Sequence, residues 1–344
     1  MAPSAFRPGA RVARPIEGPS KRGPSPGAAR LQSIALWSLG AAKPHSGDQR
    51  KEHVRWLFVG PNGVRAGWRF LAYAAIISVL NVGLQTFLVP LALKALHLDD
   101  HGLNAPGFVV VEIAEGFAVL VATATAAAFE RRRIDAYGLP ARLAFGKRFW
   151  EGAALGVLSA GAVGIAMIAV GAMVVHGLAL HGGNLAIEAV LWLGVMLLVG
   201  LNEEYMFRGY PLQALTRGMG FWPAAVLLSL LFGAAHLAKP HENAIDISII
   251  LLGLLLCLTL QRAGSLWLAV GFHFGFDFMQ FFIIGTRNGG AQPVGHLINA
   301  TFPGPAWANG GLLGTEASYF MLSVIAVIFT YIFLRYPKAE PLQT

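Results

Sequence analysis

Long apolar stretches separated by short polar connections recur along most of the chain. Eight of them stand out, at residues 70–93, 108–129, 152–175, 185–201, 221–237, 244–260, 266–284 and 319–334. A helix needs about 20 apolar residues to cross a bilayer. Backbone polar groups in hydrocarbon must be satisfied within the segment, so the runs predict helices rather than open strands. The pattern predicts an all-α integral membrane protein of about eight transmembrane helices. Two connections are long. Residues 134–149 contain Tyr137-Gly138-Leu139-Pro140 and predict an interfacial helix, and residues 286–318 are rich in Gly, Pro and Asn. Thr315-Glu316 before the last run reads as a helix start, with Thr as cap and an acid in the first turn.

Composition supports a lipid solvent. Hydrophobic residues make up 55% of the 344 and charged residues only 13%, against roughly a quarter charged in soluble domains. The single cysteine, Cys257, lies inside an apolar run and excludes an intrachain disulfide framework. Charge is uneven: residues 1–65 hold 11 Lys/Arg and 3 Asp/Glu, and the remainder holds 15 of each. This sets out three regions: a basic, Pro/Gly-rich, disordered arm at 1–65, a polytopic membrane domain at 66–336 and a short tail at 337–344. Residues 31–42 mildly imitate a signal-peptide core, but Gln32, Ser33 and Ser38 interrupt it. The arm leads into a membrane helix, so the expected partner is the lipid bilayer and not nucleic acid.

Positive residues accumulate on the cytoplasmic side. Arg131, Arg132, Arg133, Arg142, Lys147 and Arg148 follow the second run, Arg217 and Arg262 lie in later connections, and Arg335 and Lys338 lie in the tail. The opposite connections hold Asp99, Asp100, Lys239 and Arg287. An eight-helix path with both termini in the cytoplasm satisfies this distribution.

Ionisable groups in hydrocarbon are expensive and are functional candidates by default. Three places concentrate them. Asn202-Glu203-Glu204-Tyr205-Met206-Phe207-Arg208 ends the fourth run. Glu204 and Arg208 are four apart and pair along one helix face. Glu203 is left without a local cation, and an unpaired carboxylate in a dry site suits a general base. Phe232 and His236 are four apart in the fifth run, and His273 and Asp277 four apart in the seventh. A carboxylate at that spacing can orient an imidazole and stabilise its cation.

Depth joins the three. Counted at 1.5 Å per residue from the nearest turn, Glu203, His236 and Asp277 all lie about 20–22 Å up their helices, and His273 about 7 Å lower. A polar, water-filled cavity is expected where they meet. Small residues (Gly200, Gly271 and Gly275 among them) allow close helix approach. Taken alone, each motif has a plainer reading: a charged helix end, a packing histidine, a satisfied structural pair. Glu112 and Glu115, three apart on the second helix, read as an interfacial feature near its outer end, far from this cluster. In a transporter they would serve as a proton or cation relay.

The ordered set Glu203-Glu204 to Arg208, Phe232 to His236 and His273 to Asp277 resembles the CAAX protease and bacteriocin-processing family of intramembrane endopeptidases. Gly264-Ser265-Leu266-Trp267 before the third motif and Gly310-Gly311 beyond it resemble bacterial members, which implies a bacterial inner membrane as the location. The resemblance implies a hydrolase in which Glu203 activates water and His236 and His273 bind that water or stabilise the oxyanion. Asp277 stands where the prenyl-protein enzymes have Asn, so orienting His273 is its expected role. Glu204, Arg208 and Phe232 support the site. The implied substrate is a membrane-associated protein or peptide; a bacterial-type chain need not meet prenylated proteins. The favoured route is independent of any metal or other cofactor. A zinc ion held by Glu203, His236 and His273 is the alternative, disfavoured because the His-Glu-x-x-His arrangement is missing and the depth gap is wide for ligands about 2 Å from one ion. Two other classes remain open: a transporter, and a catalytically silent immunity or scaffold protein.

Overall fold

The computed structural model describes residues 56–61, 63–98, 103–236 and 247–337. The chain divides into two units, Met1–Trp56 and Leu57–Thr344. The first lies outside the described residues except for Trp56, and with it most of the basic arm; Asp99, Asp100, Lys239 and Lys338 also lie outside them. Residues 57–65, counted in the arm on composition, include a small antiparallel hairpin of β1 (Val59–Gly60) and β2 (Gly63–Val64).

The described part of each apolar run is helical for most of its length; the third run leaves the helix after Ala169 and ends in a strand. Among the described residues, five helices are long and apolar enough to cross a membrane: α1 (Ala66–Ala95), α2 (Ala105–Glu130), α3 (Lys147–Ala169), α4 (Gly182–Met219) and α7 (Trp267–Ile284). Three shorter apolar helices complete the set: α5 (Phe221–His236), α6 (Ile247–Ala263) and α8 (Tyr319–Arg335). The protein is an integral membrane protein.

Local chemistry sets the helix ends and irregularities. Asn104 caps α2, its side-chain oxygen accepting from Gly107 N at 2.8 Å. Ser318 caps α8, so the helix start read at Thr315-Glu316 is displaced: those residues form a separate 3₁₀ turn, Gly314–Ala317. Three wide π turns interrupt the long helices, at Leu84–Leu88, Tyr205–Gly209 and Phe278–Ile284. Pro90 and Pro211 follow the first two directly. A proline lacks the amide proton and crowds the carbonyl four residues back, which widens the preceding turn. The second and third π turns begin just after Glu204 and Asp277.

The connection 134–149 holds two 3₁₀ turns, Ile134–Ala136 and Ala141–Leu143, in place of the expected interfacial helix. It is a support. Leu266 N donates to Gly138 O at 2.7 Å and Trp267 Nε1 to Pro140 O at 3.0 Å, so the start of α7 stands on this loop. Nearby, buried Glu130 accepts from Arg69 at 3.0 Å and Arg217 at 2.9 Å, tying α1, α2 and α4 together at one end of the bundle. At the other end a second antiparallel ribbon joins β3 (Val174–Leu178) to β4 (Ile298–Thr301).

The tightest packing is between α3 and α7. A Cβ added to Gly152, Gly156, Gly271 or Gly275 would fall on a carbonyl oxygen of the facing helix: Leu268, Phe272, Phe149 and Ala153 respectively. Backbone thus lies against backbone along two turns, as small residues permit. α7 is also the most deeply buried of the long helices.

Candidate active site

α4, α5 and α7 each deliver one motif to an open cavity of about 450 Å³ between the helices. Glu203, Phe232, His236, His273 and Asp277 all line it.

Glu204 faces the other way, into protein. It is fully buried, and its Oε1 accepts from Arg208 Nη1 at 3.2 Å and lies 3.0 Å from His273 Nδ1. A carboxylate only accepts, so Nδ1 carries the proton in this contact. Arg208 is buried as well, with its guanidinium 4.4 Å from the Phe232 ring centroid. That face-on contact partners a cation that has little water. The four-residue pair read from sequence is present, with a second duty added: Glu204 also holds His273.

With Nδ1 engaged, His273 turns Nε2 to the cavity, 3.5 Å from Glu203 Oε2 and 3.4 Å from Asp277 Oδ2. Glu203 is the more open of the two glutamates, its side chain 28% exposed against 0% for Glu204. His236 has its Nδ1 2.9 Å from the Phe232 carbonyl one helical turn back and its ring edge-on to the Phe232 ring. A carbonyl also only accepts, so Nδ1 carries a proton, and in the neutral ring the lone pair is then on Nε2.

His273 lies level with the two glutamates, not about 7 Å below them as the residue count predicts. A gap of about 7 Å is incompatible with contacts of 3.0 and 3.5 Å to Glu204 and Glu203. Depth was counted from each helix's own turn, and the turns do not share a level. The loop at Gly138 and Pro140 props α7, whereas α4 runs on to Met219.

Glu112 and Glu115 are corrected too. They are not remote from the cluster: both line the cavity beside Glu203. Asn202 Nδ2 donates to Glu112 Oε2 at 2.9 Å and to the Glu112 carbonyl at 2.8 Å, fixing α2 against α4. α4 is 38 residues long and starts well beyond the level of α2, so positions near the start of one helix meet the middle of the other. The signal available was Asn202 beside Glu203, with Gly116 leaving room for its amide. Glu316, read as a helix-start acid, also reaches the cavity, where Gln280 Nε2 donates to its Oε1 at 2.7 Å. Nothing in the local sequence announces that contact, which spans 36 positions.

Among the described residues, no three His, Cys, Asp or Glu side chains converge as a metal-ligand set. Glu203, His236 and His273 share the cavity without forming one.

A family model described as type II CAAX prenyl endopeptidase, Rce1-like, matches residues 184–279. That span contains all seven residues of the three motifs and stops short of Glu316; Glu112 and Glu115 precede it. Neither the curated proteins nor the solved structures contain a match.

Proposed function

Residues 184–279 belong to the Rce1-like type II CAAX prenyl endopeptidase family, and from that premise we propose that the protein is an intramembrane endopeptidase acting on membrane-associated proteins or peptides. The observation that carries the reading is the meeting of Glu203, His236 and His273 at one cavity, with His273 Nε2 3.5 Å from Glu203 Oε2.

Glu203 takes a proton from water as its oxygen attacks the peptide carbonyl carbon. His236, with a free lone pair on Nε2, holds the second hydrogen of that water. His273, fixed at Nδ1 by Glu204, presents Nε2–H to the developing oxyanion when protonated. The C–N bond then breaks, and Glu203 returns its proton to the leaving amine. Asp277 keeps the His273 cation in place from the cavity side. This route needs only hydrogen-bond reach and runs without metal. Stoichiometric zinc whose removal and return switch activity off and on would overturn that part.

The test is Glu203→Gln in the purified full chain. The variant should keep its folded yield and melting temperature and lose cleavage of membrane-associated peptides by at least about 10²-fold, the usual scale of a lost general base. Full retention of proteolysis would sink the assignment. Five carboxylates at the cavity favour a second reading, a proton or cation carrier. Ion flux in proteoliposomes that survives Glu203→Gln and is lost with Glu112→Gln would support it instead.

A further inference from the structure

The carboxylates at the cavity outnumber its basic groups. Among the described residues, Glu112, Glu115, Glu203, Asp277 and Glu316 line it, against His236 and His273, and no described Lys or Arg does. Glu203, Asp277 and the histidines belong to the proposed chemistry, and Glu112 is held by Asn202. Glu316 has no part in either arrangement. It comes from the connection before α8, outside the segment that matches the family.

The placement of Glu316 is built. Thr315, fully buried, gives its hydroxyl proton to Gln280 Oε1. The Glu316 carboxylate only accepts, which settles which end of the Gln280 amide is which: its NH₂ donates to Glu316 Oε1, 2.7 Å away, and its oxygen is left for Thr315. Gln280 is itself fully buried. Glu316 Oε2 takes no hydrogen bond from any described residue. A neutral amide anchors the carboxylate without neutralising it. Glu316 is half-buried, and a carboxylate with reduced access to water favours a cation; the described walls supply no Lys or Arg. Those walls are otherwise apolar, with Phe108, Met196, Leu252 and Phe281 among them. They suit a stretch of apolar side chains on either side of one charge.

We propose that Glu316, clamped by Gln280 and Thr315, is a specificity-determining residue that receives a Lys or Arg side chain of the substrate, so that the protein selects apolar polypeptide segments carrying a single internal basic residue. This deepens the endopeptidase reading and rests on it for the word substrate; the binding preference itself can be measured without turnover.

The experiment uses the full chain with Glu203→Gln, in detergent. The probes are three fluorescent twelve-residue Leu/Ala peptides, capped at both ends, differing only in a central Lys, Gln or Glu. The Lys peptide should bind about tenfold more tightly than the Gln peptide, the scale of one charge-assisted hydrogen bond, and the Glu peptide most weakly. Adding Glu316→Gln, which keeps an oxygen for Gln280, should bring the Lys and Gln peptides together. Glu316→Lys should reverse the order of Lys and Glu. Melting temperatures are recorded for each variant, and Glu316→Ala replaces any that unfolds. Equal binding of the Lys and Gln peptides to the parent overturns the proposal, as does a Lys preference that survives removal of Glu316. Cleavage of the same peptides is followed with Glu203 intact. A Lys preference in binding with no cleavage of any probe would sink the endopeptidase reading and leave the charge selection standing.

Discussion

Two adjacent glutamates in one helix do different work because neighbouring side chains leave a helix about 100° apart. Glu204 turns into protein and meets Arg208 and His273; Glu203 turns into the cavity. Removing one partner of a buried ion pair leaves the other charge stranded, which costs about 3–5 kcal/mol. Arg208→Ala should therefore reduce folded yield sharply, and so should Glu204→Ala, whereas Glu203→Ala should not. Yield in detergent, followed by size-exclusion profile, checks this. Equal yields for all three would show that the Glu204–Arg208 contact contributes little. This division was readable beforehand from the four-residue spacing. The grip of Glu204 on His273 was not, because those residues are 69 positions apart and no periodicity connects them.

Helix packing makes its own demand. At Gly275, the added methyl of alanine would strike the Ala153 carbonyl. Backbone cannot step aside as a side chain can, so the penalty should exceed the roughly 1–3 kcal/mol of ordinary overpacking. Gly194 in α4 has nothing within 4 Å of the same atom. Gly275→Ala should lower the melting temperature well below that of the parent, and Gly194→Ala should leave it unchanged or raise it slightly, since alanine favours helix. Similar melting temperatures for the two would deny the close approach. The glycines of α7 were visible in the sequence as small residues. Their partner was not: α3 is more than a hundred positions away, and its Gly152 and Gly156 carry no charge or motif to mark them.

At the scale of the whole molecule, the loop charges argue for eight crossings with both ends in the cytoplasm. Reporter fusions after Thr344 and within residues 289–309 should report opposite sides, and equal signals from both would refute that path. Hydropathy located the helices well because the bilayer imposes length and apolarity on each one separately. It could not set their relative heights, which depend on what each helix stands on. Hence Glu112, Glu115 and Glu316 were assigned elsewhere, although the three motifs of the cavity were found. One further consequence follows from the glycine-lined seam of α3 and α7. A seam without room for a methyl group has no room for slip either, so α7 can neither slide nor turn against its neighbour. His273 and Asp277 thus ride on the stationary part of the machine. If the cavity admits a polypeptide as proposed, the wall that yields is the opposite one, formed by α2 and the stretch bearing Glu316, and not the helix that carries His273 and Asp277.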